Sequence, residues 1–414
     1  LIFLLGFTVS IANAKTIVVA DMPALKKALK TASGGEQLRL KPGNYGRISL
    51  WKRTFTPELM IISDNPEKPA KFDSVKIRRS HNITFDSVIF NAKFGSESKD
   101  ANQRAFESTN SSHITIKNSA FIGDMVEPGE GKPDIRSDKT LRRNDAIVGF
   151  YIGAGAVVKH ASNIYFSHNT FKHFHVAAQF VKTNQLYFGH NSIHDIRMDA
   201  TNFAEINNAV IENNTIENMI PWTGPGGSVN PSIGDHADLI QFWTTSTDKP
   251  SSNVTIRNNY LSSGLNTYYV QGIFIRNEKL DQGTWNNNNK YTNFVICGNH
   301  IQNAHVHGIT VSGIEHSKIM HNTVIRNNYS ASDDKAYLPS LYLRQGSDHI
   351  YLKNNIVAAF KSETKGKLVK GPHAYKRVRD YSNWQKSSID FFDYTNDNNI
   401  NRLNVCNKLE ANTP

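Results

Sequence analysis

The sequence predicts an all-β protein, a right-handed parallel β-helix in which short strands stack rung on rung behind a short N-terminal capping helix. Three observations predict it. An asparagine returns about every two dozen residues, apolar side chains alternate with period two between the returns, and one amphipathic helix pattern precedes the first strand.

The asparagine carries most weight. Asn163-Ile164-Tyr165-Phe166-Ser167-His168-Asn169-Thr170-Phe171 is echoed by Leu186-Tyr187-Phe188-Gly189-His190-Asn191-Ser192-Ile193 and by Val210-Ile211-Glu212-Asn213-Asn214-Thr215-Ile216. The register returns at Asn259, Asn299, Asn322 and Asn355. Asn169, Asn191 and Asn214 stand 22 and 23 residues apart, and Asn299 and Asn322 another 23, which sets the bare turn; the 45 residues from Asn214 to Asn259 read as two turns. A turn this small cannot bury its apolar face alone, so it must stack on its neighbours. Asparagine suits the corner because it tolerates left-handed backbone and its amide can bond the equivalent amide above and below. Leucine-rich repeats lack their leucine consensus here, and helical repeats are excluded by the Asn, Thr and β-branched residues that fill each turn.

An open solenoid end exposes strand edges, so a cap is expected. Met22-Pro23-Ala24-Leu25-Lys26-Lys27-Ala28-Leu29 reads as that cap, with Pro in the first helical turn. Gly34-Gly35, the strand Leu38-Arg39-Leu40 and the turn Lys41-Pro42-Gly43-Asn44-Tyr45 lead into the first rung.

The apolar run Leu1-Ile2-Phe3-Leu4-Leu5-Gly6-Phe7 continues through Val9 and Ile11 to Ala12-Asn13-Ala14, the pattern of a signal peptide over residues 1–14. A secreted or periplasmic protein with no membrane span after signal removal is therefore expected. Residues 15–360 are assigned to the β-helix with its cap, and 361–414 to a basic C-terminal segment, a lid or cap rich in Lys361, Lys365, Lys367, Lys370, Lys376, Arg377 and Arg379. Gly123 to Asp145 reads as a charged loop. Cys297 and Cys406 allow one bridge, not a disulfide framework. Hydrophobic residues at 39% and charged residues at 20% exclude disorder and a membrane bundle. The net charge of +11 favours a polyanion, and nucleic acid, anionic lipid and acidic polysaccharide all qualify; with the site residues below, an acidic polysaccharide is the expected partner and nucleic acid is not.

A second strand precedes each Asn-cornered one: Gln179-Phe180-Val181-Lys182, Ile240-Gln241-Phe242-Trp243, Ile273-Phe274-Ile275-Arg276, Ile309-Thr310-Val311-Ser312 and Leu341-Tyr342-Leu343-Arg344. With Val181, Phe242, Ile275, Val311 and Leu343 turned inward, alternation places Lys182, Trp243, Arg276, Ser312 and Arg344 in one outer column. Guanidinium and ammonium groups pair with uronate carboxylates, and an indole stacks on sugar rings. Just ahead of these strands lie His175, Asp235-His236-Ala237-Asp238, Tyr268-Tyr269-Val270-Gln271 and His305-Val306-His307, which neighbouring rungs would bring together.

Cleaving a uronate chain by β-elimination requires neutralising the carboxylate, removing the acidified C5 proton and protonating the leaving oxygen. The expected assignment gives Arg276, aided by Gln241 or Arg344, the first role. His236 or His307 takes the second, and Tyr269 or Arg276 the third. Lys182, Trp243 and His175 complete the substrate-binding set. Calcium is the one cofactor raised, with Asp235 and Asp238 as candidate ligands, although two carboxylates fall short of its usual oxygen cage.

The capping helix, the strand ending in Pro42-Gly43-Asn44-Tyr45 and the Asn-cornered rungs together resemble the pectate-lyase-like superfamily of secreted β-helix proteins, from about Lys15 to Phe360. Within it, Asp238-Leu239-Ile240-Gln241-Phe242-Trp243-Thr244-Thr245 and Gly272-Ile273-Phe274-Ile275-Arg276 resemble the acidic rung and the arginine strand of the alginate and chondroitin lyases of polysaccharide lyase family six. The resemblance implies a catalytic role for Arg276. It transfers neither the family's catalytic lysine, whose place falls at Thr244 or Thr245, nor its calcium-binding acidic pair, of which only Asp238 is present. Two further activities stay open on this fold: a glycoside hydrolase using Asp235 with Asp238, or an epimerase of acidic polysaccharide. A non-catalytic carbohydrate-binding or surface structural protein is the third alternative.

Overall fold

The computed structural model describes residues 15–92, 103–126, 145, 147–224, 234–264, 270–286, 289–327, 338–370, 375–377 and 406. Among them, parallel ladders build the molecule: a 21-stranded sheet supplies two faces of the solenoid and an 11-stranded sheet the third. The right-handed parallel β-helix read from the sequence is the fold observed. A small antiparallel pair, Asp124–Met125 with Tyr151–Ile152, stands apart from these ladders.

Three 14-residue strands, Ala154–Ser167, Val176–Gly189 and Asp199–Glu212, turn from one face to the next without leaving their ladder. Each corner is made by two left-handed residues three apart: His160 and Asn163, Lys182 and Gln185, Glu205 and Asn208. Left-handed backbone disfavours side chains with a Cβ, by about 1–2 kcal/mol per residue. The ladder bonds on either side hold these corners in place.

The asparagines form a continuous file. The Oδ1 of Asn191, Asn214, Asn259, Asn299, Asn322 and Asn355 each accepts both the backbone N–H and the Nδ2 of the asparagine one rung earlier, at 2.9–3.1 Å. Ser119 begins the file, its N–H donating to Asn169 Oδ1 at 3.1 Å. A buried amide left unpaired costs about 1–3 kcal/mol, so each asparagine is held by the two beside it.

The 45-residue interval proved to be a single enlarged rung and not two turns. Asn214 donates directly to Asn259, and Asp199–Glu212 pairs directly with Ser252–Arg257. Inserted chain fills the difference.

Inside, aromatic residues stack at rung spacing. Phe90, Phe121 and Phe171 lie 4.5 and 4.2 Å apart between ring centres, and Phe180, Phe203 and Phe242 follow at 5.6 and 4.9 Å. The helix α1, Met22–Thr31, covers the N-terminal end with Leu25, Ala28 and Leu29, and Asp21 caps it by accepting from the Ala24 N–H at 2.8 Å.

The solenoid also continues past Phe360. Ala359–Ser362, Leu368–Lys370 and Tyr375–Arg377 pair with Ser340–Leu343, Asp348–Lys353 and Asn355–Val357 respectively. The segment expected as a separate lid or cap therefore begins as a further rung. A disulfide joins Cys406 to Cys297. Residues 1–14, read as a signal peptide, lie outside the described residues, as do most of Gly123 to Asp145 and of 378–414. No helix among the described residues is long and apolar enough to cross a membrane.

Candidate active site

On one face the strands Ala237–Trp243, Val270–Ile275, His307–Val311 and Ser340–Leu343 stack in register, with Phe242, Ile275, Val311 and Leu343 aligned toward the core. The residue that follows each of these four is Trp243, Arg276, Ser312 or Arg344. Ladder bonds from the N–H of Arg276 to Phe242 O (3.1 Å), Ser312 to Ile275 O (2.9 Å) and Arg344 to Val311 O (2.8 Å) put them on consecutive rungs. Gln241, Phe274, Thr310 and Tyr342 form the neighbouring outward column.

Lys182 does not join the column. Phe180, not Val181, is in register with Phe203 and Phe242, which moves Lys182 one position on, into a left-handed corner. There its ammonium lies 2.5 Å from Asp248 and 3.9 Å from Glu205.

The cationic end of the face is organised by a residue that the sequence reading missed. Helix α2, Glu278–Asp281, capped by Asn277, follows Arg276 directly. Asp281 Oδ2 lies 2.9 Å from Arg276 Nε and 3.8 Å from Arg344 Nη1, while Oδ1 accepts from Ser312 Oγ at 3.0 Å. One internal carboxylate thus sits between the two guanidiniums. Strand periodicity carries no trace of it, because it belongs to an insertion.

At the other end of the same strands two carboxyls meet. The Asp238 N–H donates to Asp199 Oδ1 at 3.1 Å, and both side chains are buried. Burial, and then the charge of Asp238, pushes the Asp199 carboxyl up to about 8. Burial also raises Asp238, against the opposing pull of His236. The pair therefore keeps a proton at neutral pH.

His236, its side chain 33% exposed, closes over this pair with Nδ1 3.2 Å from Asp238 Oδ2, and Gln271 Nε2 lies 2.6 Å from its Nε2. That arrangement matches the tautomer with Nδ1–H toward Asp238 and the lone pair on Nε2. Its ring meets Phe274 at 6.1 Å, and Phe274 meets His307 at 4.9 Å. His307 lies parallel to Tyr342 at 6.0 Å, and Lys361 Nζ stands 5.7 Å from the Tyr342 ring. Burial pushes His305 down to about 4 and, with the neighbouring positive charges of His305 and Arg344, His307 down to about 3. Both are neutral at physiological pH.

Two expected members face elsewhere. Asp235 is buried against Arg197, whose Nε and Nη2 reach its two oxygens at 2.9 and 3.1 Å, and it also accepts the Trp222 N–H at 2.8 Å. This removes Asp235 from any carboxylate pair with Asp238, whether for calcium or for hydrolysis. His175 is buried with Nε2 4.0 Å from Asp235. Tyr269 lies outside the described residues. Among the described residues no group of three or more His, Cys, Asp or Glu is placed to hold a metal ion.

No protein-family model matches the sequence, and no curated protein matches it. Among solved structures, the Dettilon tailspike protein is 12% identical with a TM-score of 0.52, over 83% of this chain and 64% of the tailspike. The fold is the parallel β-helix. This chain thus spans somewhat under two thirds of the tailspike's length. A mannuronic acid-specific polysaccharide lyase of family six from human gut microbiota is 12% identical over 90% of this chain and 94% of that one, at a TM-score of 0.44. The surface adhesin PfbA of Streptococcus pneumoniae is 11% identical over 86% and 85%, also at 0.44. Likeness at these identities establishes architecture alone.

Proposed function

We propose that this β-helix is a secreted or periplasmic enzyme that cleaves a uronate-containing acidic polysaccharide by β-elimination. The observation that supports it is the unbroken band of His236, Phe274, His307 and Tyr342 on one face, bounded by Arg276, Arg344 and Lys361. Arg276 and Arg344 neutralise the uronate carboxylate, which takes over the position of Asp281 and makes the adjacent C5 proton acidic. His307, neutral through burial and near enough to Arg344 to feel its charge, accepts that proton at Nε2, its Nδ1 being held by Thr310 Oγ1 at 2.9 Å. The electron pair left on C5 forms the C4–C5 double bond, the C4–O bond breaks, and the leaving oxygen takes a proton from Tyr342 or from water. His236, held by Asp238 and Gln271 at the opposite end of the strands, lines the cleft where flanking sugars lie. Trp243 stacks on a flanking sugar and Gln241 bonds its hydroxyls. No step is routed through a metal.

The test is incubation with a panel of acidic polysaccharides, following ultraviolet absorbance and reducing ends together. Absorbance from unsaturated ends is expected, falling at least a hundredfold in rate for His307→Ala. Reducing ends without absorbance would assign a hydrolase, and neither signal on any polymer would remove the lyase reading.

A further inference from the structure

We infer that the N-terminal rungs of this same face form a second, non-catalytic platform that binds an acidic polysaccharide chain laid along the solenoid axis. The inference shares with the proposed function only its class of ligand.

Register supports the alignment. Trp51 and Trp243 fall in one outward column, joined through Arg78, Lys159 and Ala204 by continuous parallel pairing. Six ladder steps separate the two indoles, about 29 Å at about 4.8 Å per step. The intervening positions present small, apolar or basic side chains and no carboxylate, and Glu205 and Asp248, the acids beside Ala204, are paired with Lys182.

The platform itself is basic and open. Arg47, Lys76 and Arg78 are exposed on the strands Arg47–Trp51 and Ser74–Arg78, and Arg47 and Lys76 make no ion pair among the described residues. The one acid in the adjoining column, Glu107, is covered by Arg78 and Arg104, each at 3.1 Å. Trp51 keeps 61% of its surface in water, with Lys52 Nζ 4.6 Å from its ring centre. A large indole held in solvent beside cations offers stacking to a sugar ring and charge to its carboxylate. A track one strand wide suits a single extended chain, whereas a nucleic-acid duplex needs a broader basic surface.

The experiment measures affinity of the whole chain for alginate, polygalacturonate and hyaluronate by affinity electrophoresis, with duplex DNA as competitor. Trp51→Ala and the Arg47→Ala/Lys76→Ala pair are compared with Lys26→Ala/Lys30→Ala, which removes the same charge from the capping helix. The expected result is at least a tenfold loss of affinity for one of the polymers in the first two variants, little loss in the control, and unchanged handling of a tetrasaccharide of that polymer. Unchanged polymer affinity in the first two variants, equal loss in the control, or duplex DNA competing as well as the polysaccharide would each overturn the platform. Platform variants that lose affinity in a protein that cleaves nothing would leave the platform standing and remove only the lyase. Cleavage that persists while those variants bind as wild type would do the reverse.

Discussion

Replacing Arg197 with methionine should cost the fold about 3–5 kcal/mol, the range for breaking a buried ion pair from one side. Arg197 and Asp235 are 1% and 0% exposed, and the guanidinium gives two hydrogen bonds to the carboxylate and a third, at 2.9 Å, to the Asp145 carbonyl. Methionine keeps much of the stem's packing, so the loss is mainly electrostatic: a buried carboxylate stripped of its cation. The double replacement Arg197→Met with Asp235→Asn removes that stranded charge and should recover a substantial part of the loss. Denaturant unfolding of both variants measures the difference. A cost under about 1 kcal/mol for the single variant, or a double variant no more stable than the single, would refute the reasoning. Because Asp235 immediately precedes His236, any cleavage activity should fall with stability in the single variant.

Three further outcomes are expected. Asn214→Ala orphans the buried Asn191 N–H and removes the Nδ2 bonds to Asn259 Oδ1 and the Phe188 carbonyl, and should lower stability by about 1–3 kcal/mol in the same unfolding assay. The Asp199 carboxyl, pushed from 3.8 up to about 8, holds a proton that the unfolded chain gives up; the stability it contributes is full below about pH 4 and lost as pH rises through about 8. Melting temperatures across that window should therefore slope downward, and Asp199→Asn should flatten the slope. Reduction of the Cys297–Cys406 bridge, which closes a separation of 109 residues, should cost about 2–4 kcal/mol by denaturation with and without reductant.

The asparagine file was legible in the sequence because its chemistry repeats locally: the same amide, at nearly constant spacing, before the same apolar partner. The column from Trp243 to Arg344 was legible for a similar reason, since strict alternation leaves one outward choice. Lys182 was not, because register there depends on where the chain bends. The bends fall at Lys182 and Gln185, residue types that do not announce left-handed backbone as glycine or asparagine would. The run Asp235-His236-Ala237-Asp238 looks like one cluster on paper, yet Asp235 turns to Arg197 while Asp238 turns to Asp199, and neither partner is near in sequence. Asp199 opens its strand without any flanking signal and acquires meaning only from a residue 39 positions later. Asp281 belongs to an insertion, and insertions follow no period. The 45-residue rung was misread for the same cause.

The strands that round a corner without leaving their ladder have a mechanical consequence. Tension across the rungs, parallel to the strands, loads many hydrogen bonds of a coil together, whereas peeling from either end parts them one after another. The molecule is therefore stiff against pull along its strands and weakest where an end rung can be peeled away. The helix stands at one tip, where unravelling would begin, and the sulfur bridge fastens Cys406 to a strand three ladder steps inside the last one described.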